Sequence, residues 1–336
     1  MKIWINGVGR IGRAVTRIAL SEKRFEISAI NTRATSPEMM EHLLRYDSVY
    51  AEFAANTSYD EKNIYINGPA IACLHTDSPE DITWEDYDVD VVIDSTGAFK
   101  TRETLVPHLG WSVKKVILTC PEKDASIPTV VLGVNDDQID WKNEHIISNA
   151  SCTTNCVSPV MKVLHDSFWV ESCLFTTMHA YTNSQSLLDE RGKSLTMARA
   201  TPNNLIPTST WAAKAVTKVM PELSGKLDGS ALRVPIPAGS LTDMTMTFSK
   251  DTSINDIHET LQSASEEYMK GILGYAKRSL VSSDYIWSSY SSIVDPFLTQ
   301  HIDNNLFKIF AWYDNEWGYS VRVCELVEKL NEYLYS

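Results

Sequence analysis

The chain has 336 residues, an apolar content of 43% and a formal net charge of −13 from 30 basic and 43 acidic side chains. A chain of this length usually forms two domains. The acidic balance argues against nonspecific binding to nucleic acid or to an anionic membrane, and no apolar run reaches transmembrane length. We therefore expect a cytoplasmic protein with no secretory leader, in which an anionic substrate needs locally placed arginines.

The cysteines favour a reducing compartment. There are six, scattered without a compact repeat, at positions 73, 120, 152, 156, 173 and 324. This spacing does not resemble the disulfide framework of a small secreted protein. Cys152 and Cys156 could share a helix face, but no second Cys or His pair has matching spacing. A metal site is therefore not expected.

A glycine-rich turn follows the first predicted strand. Gly7, Gly9 and Gly12 fit G-x-G-x-x-G, with Arg10 and Ile11 inside the motif and apolar residues at helical spacing after it. The three glycines permit a tight turn, the approach of a pyrophosphate to the backbone, and close packing of helix on strand. The strand, turn and helix predict a dinucleotide site.

The residues after the second predicted strand, 25–31, bear on the choice of cofactor. An acid about 20 residues beyond the glycines would bind the ribose 2′-OH of NAD and repel the 2′-phosphate of NADP. Here the strand is followed by Thr32 and Arg33, with no acid. Because both side chains can bind a phosphate, we expect NADP to be preferred. NAD remains possible if Arg33 points into solvent.

The first 150 residues have the pattern of a doubly wound parallel α/β sheet. Further β-rich runs occur at 64–66, 89–93, 116–118, 130–132 and 146–147. Ser95, Thr96 and Gly97 follow one of these runs, and Thr119 follows another. Doubly wound sheets bind ligands at the carboxyl ends of their strands. These four residues are therefore expected to contribute to the cofactor site.

Cys152 is predicted to begin a helix directly after a strand. The run 146–147 precedes it, Ser151 is a suitable N-cap, and residues 157–168 have helical apolar spacing. The helix dipole and free N–H groups would lower the thiol pKa below its usual value of about 8.5. The alternative is a small core cysteine. Hydroxyl residues at 148, 151, 153 and 154 favour a reactive thiol.

The second half of the chain has a different pattern. Longer β-rich runs at 175–181, 231–237, 243–250 and 306–313 are interrupted by a predicted helix at about 254–269. This pattern predicts an α+β catalytic domain over 151–315 with a mainly antiparallel sheet. The amphipathic last helix, 316–336, is expected to pack back on the dinucleotide-binding domain.

A reactive thiol together with a nicotinamide cofactor suggests oxidation of an aldehyde. The thiolate would add to the carbonyl, hydride would pass to the cofactor, and a thioester would remain for an acceptor to attack. The reaction needs a base, and His179 lies at the end of a predicted strand that could run beside the cysteine helix. A purely structural His179 is the alternative.

Five segments together resemble the phosphorylating glyceraldehyde-3-phosphate dehydrogenase family. They are Asn6–Arg13, Ser148–Cys156, Thr208–Thr210, Leu232–Pro235 and Tyr313–Tyr319. The resemblance runs from residue 2 to about 334 and implies a Rossmann domain, a catalytic domain and a homotetramer. It assigns Cys152 as the nucleophile and His179 as the base. It also implies that Asn315 holds the nicotinamide carboxamide and that Tyr319 packs nearby.

The resemblance also implies two anion sites. One would hold the substrate phosphate through Thr182 and Arg233, and the other would hold inorganic phosphate through Ser151, Thr153 and Thr210. Arg199 matches an arginine near these anions. An acidic protein with an anionic substrate needs Arg199 and Arg233 turned inward, although an exposed arginine paired with a carboxylate is the usual case.

Three departures from the family pattern affect the expected activity. Thr32-Arg33 replaces the NAD-selective Asp, Glu190-Arg191 replaces a common Leu-Pro on a loop that approaches a neighbouring subunit, and Trp211 replaces a Gly. A large residue at this last position resembles the erythrose-4-phosphate dehydrogenase branch. This resemblance implies hydrolysis of the thioester rather than its phosphorolysis. An indole there would crowd the attacking phosphate unless it packs outward.

We expect NADP-linked oxidation of a phosphorylated aldehyde through a Cys152 thioester. The expected substrate is D-glyceraldehyde 3-phosphate, and phosphorolysis would give an acyl phosphate. One alternative is a paralogue that acts on another phospho-aldehyde, such as erythrose 4-phosphate, and hydrolyses the thioester. The other is a catalytically idle nucleotide-binding regulator.

Overall fold

The computed structural model describes residues 1–303 and 305–334. The chain divides into two compact units. The first contains Met1–Val130, Gln138–Ala150 and the chain from Ser320 onward, and the second contains Val131–Asp137 and Ser151–Tyr319. The observed division differs from the expected boundaries at residues 131–137 and 316–319, which belong to the second unit.

The first unit is built on an eight-stranded sheet. Its strands are β1 (Lys2–Asn6), β2 (Glu26–Asn31), β3 (Thr57–Tyr59), β4 (Asn63–Ile66), β5 (Ala70–Leu74), β6 (Val91–Asp94), β7 (Lys115–Leu118) and β8 (Ile146–Ser148). Their order is β3-β4-β5-β2-β1-β6-β7-β8. In this spatial order, every neighbouring pair from β5 through β2, β1, β6 and β7 to β8 is parallel. Strand β4 pairs antiparallel with β3 and β5. The predicted parallel-rich Rossmann sheet is confirmed.

Helices cover this sheet. They are α1 (Arg10–Glu22), α2 (Pro37–Arg45), α3 (Arg102–Leu105) and the later part of α7 (Trp317–Leu334). Within this unit, the Arg24 guanidinium lies 3.1 Å from the carboxylate of Glu328, and the Cys324 thiol lies 3.9 Å from the carbonyl of Val15. The residues of α7 in this unit thus pack beside α1.

The strand predicted at 130–132 is absent, and this prediction was wrong. Thr129 makes an isolated bridge to Ser148, and the chain then turns. The side-chain oxygen of Asn135 accepts from the N–H of Val131 at 2.9 Å, and Gly133 has a φ of +78°. The β-branched residues reflect burial rather than strand pairing, because a buried apolar run can also form a packed turn.

The second unit contains a seven-stranded sheet. Its strands are β9 (Val170–Ala180), β10 (Ile206–Ser209), β11 (Leu227–Val234), β12 (Ser240–Phe248), β13 (Leu273–Tyr275), β14 (Ser292–Ile302) and β15 (Leu306–Tyr313). The order is β10-β11-β9-β12-β15-β14-β13, with parallel pairing at β11–β9 and β13–β14 and antiparallel pairing elsewhere. The predicted mainly antiparallel sheet is confirmed.

One face of this second sheet is buried against helices. The helices are α4 (Cys152–Phe168), α5 (Ala212–Val219) and α6 (Ile254–Glu266). Along β12 every second residue from Ser240 to Phe248 is buried, and the intervening residues are half-exposed. This alternation is the period of a strand with one face in the core. It places the β12 residues that begin with Ser240 on the same face as α4.

Candidate active site

Cys152 is the first residue of α4, as predicted. Ser151 has extended backbone, and its Oγ accepts from the N–H of Thr154 at 3.0 Å. This N-cap satisfies one of the N–H groups that the first turn of a helix leaves unpaired. The cap holds the thiol at the positive end of the helix.

His179 faces this thiol from the end of β9. The Cys152 Sγ lies 3.3 Å from Nε2 of His179, whose side chain is buried. The other ring nitrogen, Nδ1, lies 2.6 Å from the carbonyl oxygen of Ala180. A proton on Nδ1 donated to this carbonyl leaves Nε2 free to accept the thiol proton. The expected thiol and base are therefore adjacent within the second unit.

Arg233 lies beside His179 and forms a group of three with it and Cys152. Its Nη1 donates to the carbonyl oxygen of Ala180 at 3.2 Å and contacts Nδ1 of His179. Arg233 lies on β11, whose parallel register places it directly beside His179. Its Nε is buried and has no hydrogen-bond partner among the described residues. A buried donor without an acceptor is a feature that an anionic ligand could satisfy.

The electrostatics correct one prediction. Burial raises the pKa of the Cys152 thiol above its ordinary value, although the Arg233 guanidinium and hydrogen bonding to Thr153 lower it. Burial and the charge of Arg233 lower the pKa of His179 to about 3. The predicted lowering of the thiol pKa rested on the positive end of the helix and left out the removal of the thiol from water. The geometry provides a thiol beside a neutral imidazole base.

Tyr313 joins the cysteine helix to the histidine strand. Its buried hydroxyl shares hydrogen bonds with Thr153 at 3.0 Å and Thr177 at 2.7 Å. Burial also raises the pKa of this phenol. Sequence reasoning gave no role to Tyr313 or Thr177. The alternation of apolar and polar residues along β9 and β15 places both inward, but their pairing across the sheet requires the strand order.

Asn315 lies in the turn between β15 and α7. Its Oδ1 accepts from the hydroxyl of Ser240 at 2.9 Å. The preceding carboxylate, Asp314, accepts from the N–H groups of Glu316 and Trp317, each at 2.9 Å. Tyr319, in the first turn of α7, is buried. The backbone on both sides of Asn315 is thus held by buried hydrogen bonds.

The predicted anion-binding residues are not all brought together. Thr182 shares a hydrogen bond with Ser184 at 2.9 Å, and Arg233 lies beside His179. Arg199 is 61% exposed and pairs with Asp189 at 3.0 Å. The expectation that Arg199 turns inward is therefore wrong in this structure, because a carboxylate on its own loop holds it outward.

The residues expected to bind the attacking phosphate have local partners. Ser151 caps α4, Thr153 bonds to Tyr313, and Thr210 Oγ1 accepts from the N–H of Ala212 at 3.1 Å. Trp211 is 68% exposed, and Lys214 Nζ lies 4.9 Å from its ring centroid. The indole thus lies in solvent and does not pack under a loop.

The first unit contains a cleft of about 580 Å³ at the carboxyl ends of its central strands. Predicted cofactor residues that line it are Gly7, Gly9, Thr32, Arg33, Ser95, Thr96 and Gly97. Other predicted residues lie outside this lining. Arg10 pairs with Asp47, Ile11 is half-buried, and the N–H of Thr119 donates to the carbonyl of Asp94 at 3.0 Å.

The glycines of this cleft fit a dinucleotide. A Cβ at Gly7, which has a φ of +92°, would lie 2.8 Å from the backbone nitrogen of Thr96. A Cβ at Gly12 would overlap the carbonyl oxygen of Gly7, whereas one at Gly9 would meet nothing within 4 Å. Two glycines therefore close the turn against its neighbours. The third leaves the backbone open on the side where a pyrophosphate could approach.

Comparison with known proteins agrees with these features. The family model described as glyceraldehyde 3-phosphate dehydrogenase, NAD binding domain, matches residues 1–102, and that of the C-terminal domain matches residues 151–315. The chain belongs to the glyceraldehyde 3-phosphate dehydrogenase family. The protein is thus an oxidoreductase by family, with a domain of the kind that binds a nicotinamide cofactor.

Curated relatives of the family match nearly the whole chain. Glyceraldehyde-3-phosphate dehydrogenase 1 of Bacillus cereus is 46% identical over 97% of both chains. The enzyme of Geobacillus stearothermophilus is 45% identical over 97% of both chains. That of Borreliella burgdorferi is 47% identical over 98% of this chain and 99% of its own.

The described residues contain neither a cluster of metal-ligating side chains nor a membrane-spanning helix. No group of three or more His, Cys, Asp or Glu side chains there is placed to hold a metal ion. No helix in the same part of the chain has the length and apolar character needed to span a membrane. The candidate chemistry of this family member centres on the contacts of Cys152, His179 and Arg233.

Proposed function

We propose that this protein oxidises a phosphorylated aldehyde, D-glyceraldehyde 3-phosphate, with transfer of a hydride to NADP. The observation that carries the proposal is the contact of 3.3 Å between the Cys152 thiol and Nε2 of His179, with Arg233 beside them. The curated relatives are named for this aldehyde. A base within hydrogen-bond reach of a thiol is the arrangement that nucleophilic catalysis requires.

The first step follows from the positions of the protons. Nε2 of His179 takes the thiol proton as Sγ of Cys152 attacks the aldehyde carbon, and returns it to the carbonyl oxygen to form a thiohemiacetal. His179 then removes this proton as the carbon is oxidised to a thioester. When bound, the nicotinamide supplies a hydride acceptor. Asn315 would hold its carboxamide, and Gly9 would admit its pyrophosphate.

Inorganic phosphate is the proposed acceptor of the acyl group. Attack of a phosphate oxygen on the thioester carbon releases the Cys152 thiolate and gives an acyl phosphate. Arg233 is half-buried, and its Nε has no hydrogen-bond partner among the described residues, which suits a role in holding the phosphate of the substrate. The indole of Trp211 is 68% exposed, so we do not expect it to exclude phosphate.

A substrate panel tests the proposal. Purified protein is assayed with several phospho-aldehydes, with NADP and NAD, and with and without inorganic phosphate. We expect greatest turnover with D-glyceraldehyde 3-phosphate, a requirement for phosphate, and loss of activity in Cys152→Ser. Turnover of another phospho-aldehyde without phosphate would instead identify a hydrolytic paralogue.

Trp211→Gly distinguishes the two acceptors further. If the indole remains in solvent during turnover, this change leaves the dependence of rate on phosphate concentration within about twofold of wild type. A large increase in phosphate-dependent turnover would show that Trp211 suppresses phosphorolysis in the natural protein.

The preference for NADP is proposed from the end of β2. Thr32 and Arg33 line the cleft, and they follow β2 where NAD-selective members of the family have an acid. Arg33 is 76% exposed and pairs with Asp77, the case in which NAD can also bind, so the proposed preference for NADP depends on the reach of Arg33 to a 2′-phosphate. Comparison of kcat/KM for the two cofactors tests this choice. A tenfold preference for NAD, about 1.4 kcal/mol, would overturn it.

We also propose that the protein is a cytoplasmic homotetramer. All six cysteines are free thiols, which suits a reducing compartment. The loop after β9 exposes several leucines, among them Leu195, which is 93% exposed. A second subunit would cover such side chains.

A further inference from the structure

The first residue of β12 has a buried hydroxyl that the proposed reaction does not use. Ser240 is fully buried and lies opposite Tyr313 in the antiparallel pair of β12 and β15. Gly239, just before it, has a φ of +83°, and a Cβ there would overlap the carbonyl oxygen of Ser282. The backbone that carries Ser240 is therefore fixed closely on both sides.

The hydroxyl of Ser240 connects two groups that belong to the proposed site. The N–H of Ala180 donates to Oγ at 3.1 Å, and Oγ donates its own proton to Oδ1 of Asn315 at 2.9 Å. The ladder between β9 and β12 ends at Met178 and Leu241. Beyond that pair the Ser240 side chain supplies the acceptor that Ala180 lacks in the ladder.

This connection determines which end of the Asn315 amide faces the hydroxyl. Ser240 already accepts from Ala180, so its own proton needs an acceptor. The Asn315 oxygen provides one, whereas its NH2 group could not. A flipped amide would leave a buried hydroxyl proton unsatisfied, which is unfavourable. With its oxygen facing Ser240, the Asn315 amide has its NH2 group on the other side, where this group can donate to a ligand.

Ala180 joins the same connection to the proposed base. Its carbonyl oxygen lies 2.6 Å from Nδ1 of His179 and accepts from Arg233 at 3.2 Å, while its N–H donates to Ser240. A single residue thus contacts both the histidine that faces the thiol and the serine that holds the amide. Displacement of this residue would affect both groups.

We propose that Ser240 is a positioning residue that fixes the Asn315 amide as a hydrogen-bond donor to the carbonyl oxygen of the nicotinamide carboxamide. The inference rests on the proposed function, because it needs Asn315 to contact the cofactor. Ser240 itself touches neither substrate nor cofactor in this scheme. Its effect on cofactor binding must therefore pass through Asn315.

A double-mutant cycle on the full-length protein tests this dependence. NADP, and separately NAD, is titrated by calorimetry into wild type, Ser240→Ala, Asn315→Ala and the double variant. We expect Ser240→Ala to weaken binding about tenfold in the wild-type background and less than twofold beside Asn315→Ala. Thr242→Val is the matched control, because it removes another buried hydroxyl from the same face of β12. It should change the Kd less than twofold.

Equal weakening by Ser240→Ala in both backgrounds would overturn the proposal, as would an unchanged Kd in the wild-type background. Weakening by Thr242→Val to the same extent would also overturn it, by showing a general effect of lost packing. If Ser240→Ala does not fold, Ser240→Cys takes its place in the cycle with the same expected pattern. The titrations need no aldehyde, so failure of aldehyde oxidation alone would contradict the proposed function and not this inference.

Discussion

At the scale of residues, Arg233 lowers the pKa of two neighbours, although it favours the charged form of one and the neutral form of the other. Its positive charge favours the thiolate of Cys152 and disfavours the imidazolium of His179, so it lowers the pKa of both groups. A lower pKa eases loss of the thiol proton, and a neutral imidazole can accept that proton. The arginine therefore assists the thiol chemistry in addition to its proposed role with the substrate phosphate.

The first prediction concerns this charge. Arg233→Leu should raise the pKa of Cys152 and reduce the thiolate fraction at neutral pH about tenfold, because the opposing effect of burial remains. The rate of alkylation of the Cys152 peptide by iodoacetamide, followed by mass spectrometry against pH, measures the midpoint. Arg233→Lys keeps the charge and should have a midpoint near wild type. An unchanged midpoint in Arg233→Leu would contradict the assignment.

A second prediction concerns Asp77 in the cofactor cleft. Its carboxylate lies 3.4 Å from Nε of Arg33 and would repel a 2′-phosphate bound there. Asp77→Asn should strengthen NADP binding about threefold to tenfold and leave NAD binding unchanged, with a smaller effect at high salt. Titration calorimetry measures both constants. Glu80→Gln, at an exposed acid that does not line the cleft, is the control. Equal gains for both cofactors would count against a 2′-phosphate contact.

At the scale of elements, two glycines of the glycine-rich turn have different roles: Gly12 is needed for the fold and Gly9 for ligand binding. Gly12 is needed for α1 to pack on the turn, because any Cβ would overlap the carbonyl oxygen of Gly7. Gly9 has an ordinary φ of −73° and open space where its Cβ would be. The two positions belong to one motif, but they have different physical reasons for being glycine.

This difference gives a third prediction. Gly12→Ala should lower Tm by about 5 °C or more, since the overlap forces the helix away from the turn. Gly9→Ala should leave Tm within about 1 °C of wild type yet weaken cofactor binding about tenfold or more, because the new methyl group occupies the approach of the pyrophosphate. Thermal unfolding and calorimetric titration separate the two effects. Equal losses of Tm in both variants would contradict this division.

At the scale of the whole molecule, the net charge bears on the ligands that the protein binds, and the exposed apolar side chains bear on its contacts with other protein chains. A net charge of −13 disfavours binding of polyanions, so an anionic substrate depends on a local positive group such as the half-buried Arg233. The loop after β9 also exposes Leu187, Leu188 and Leu195. These apolar side chains support the proposed homotetramer.

A fourth prediction follows for the assembly. Sedimentation equilibrium should give a mass four times that of the chain, and the double change Leu188→Glu and Leu195→Glu should reduce it, because charges would be buried between subunits. Val106→Glu, at an exposed apolar position of the first unit, should leave the mass unchanged. A wild-type protein that sediments as a single chain would show that these leucines have another role.

Local features could be predicted from the sequence by itself. The cofactor turn and the start of α4 at Cys152 depend on neighbouring residues, such as the three glycines and the Ser151 cap, whose preferences act over a few positions. The mainly antiparallel second sheet follows from the period of its strands. The predicted strand at 175–181 suggested His179 as the base, with a structural histidine as the alternative, and the family resemblance then supported His179 and added Arg233.

Tertiary structure decided the remaining features, because they depend on burial and on which of several possible partners each group contacts. Burial, and not the helix end, sets the direction of the Cys152 pKa. The pairing of Arg199 with Asp189, the exposure of Trp211 and the turn at 130–132 each result from competition between alternative partners. The link from Ala180 through Ser240 to Asn315 exists because three chain segments meet at one end of the second sheet, and no local pattern encodes that meeting.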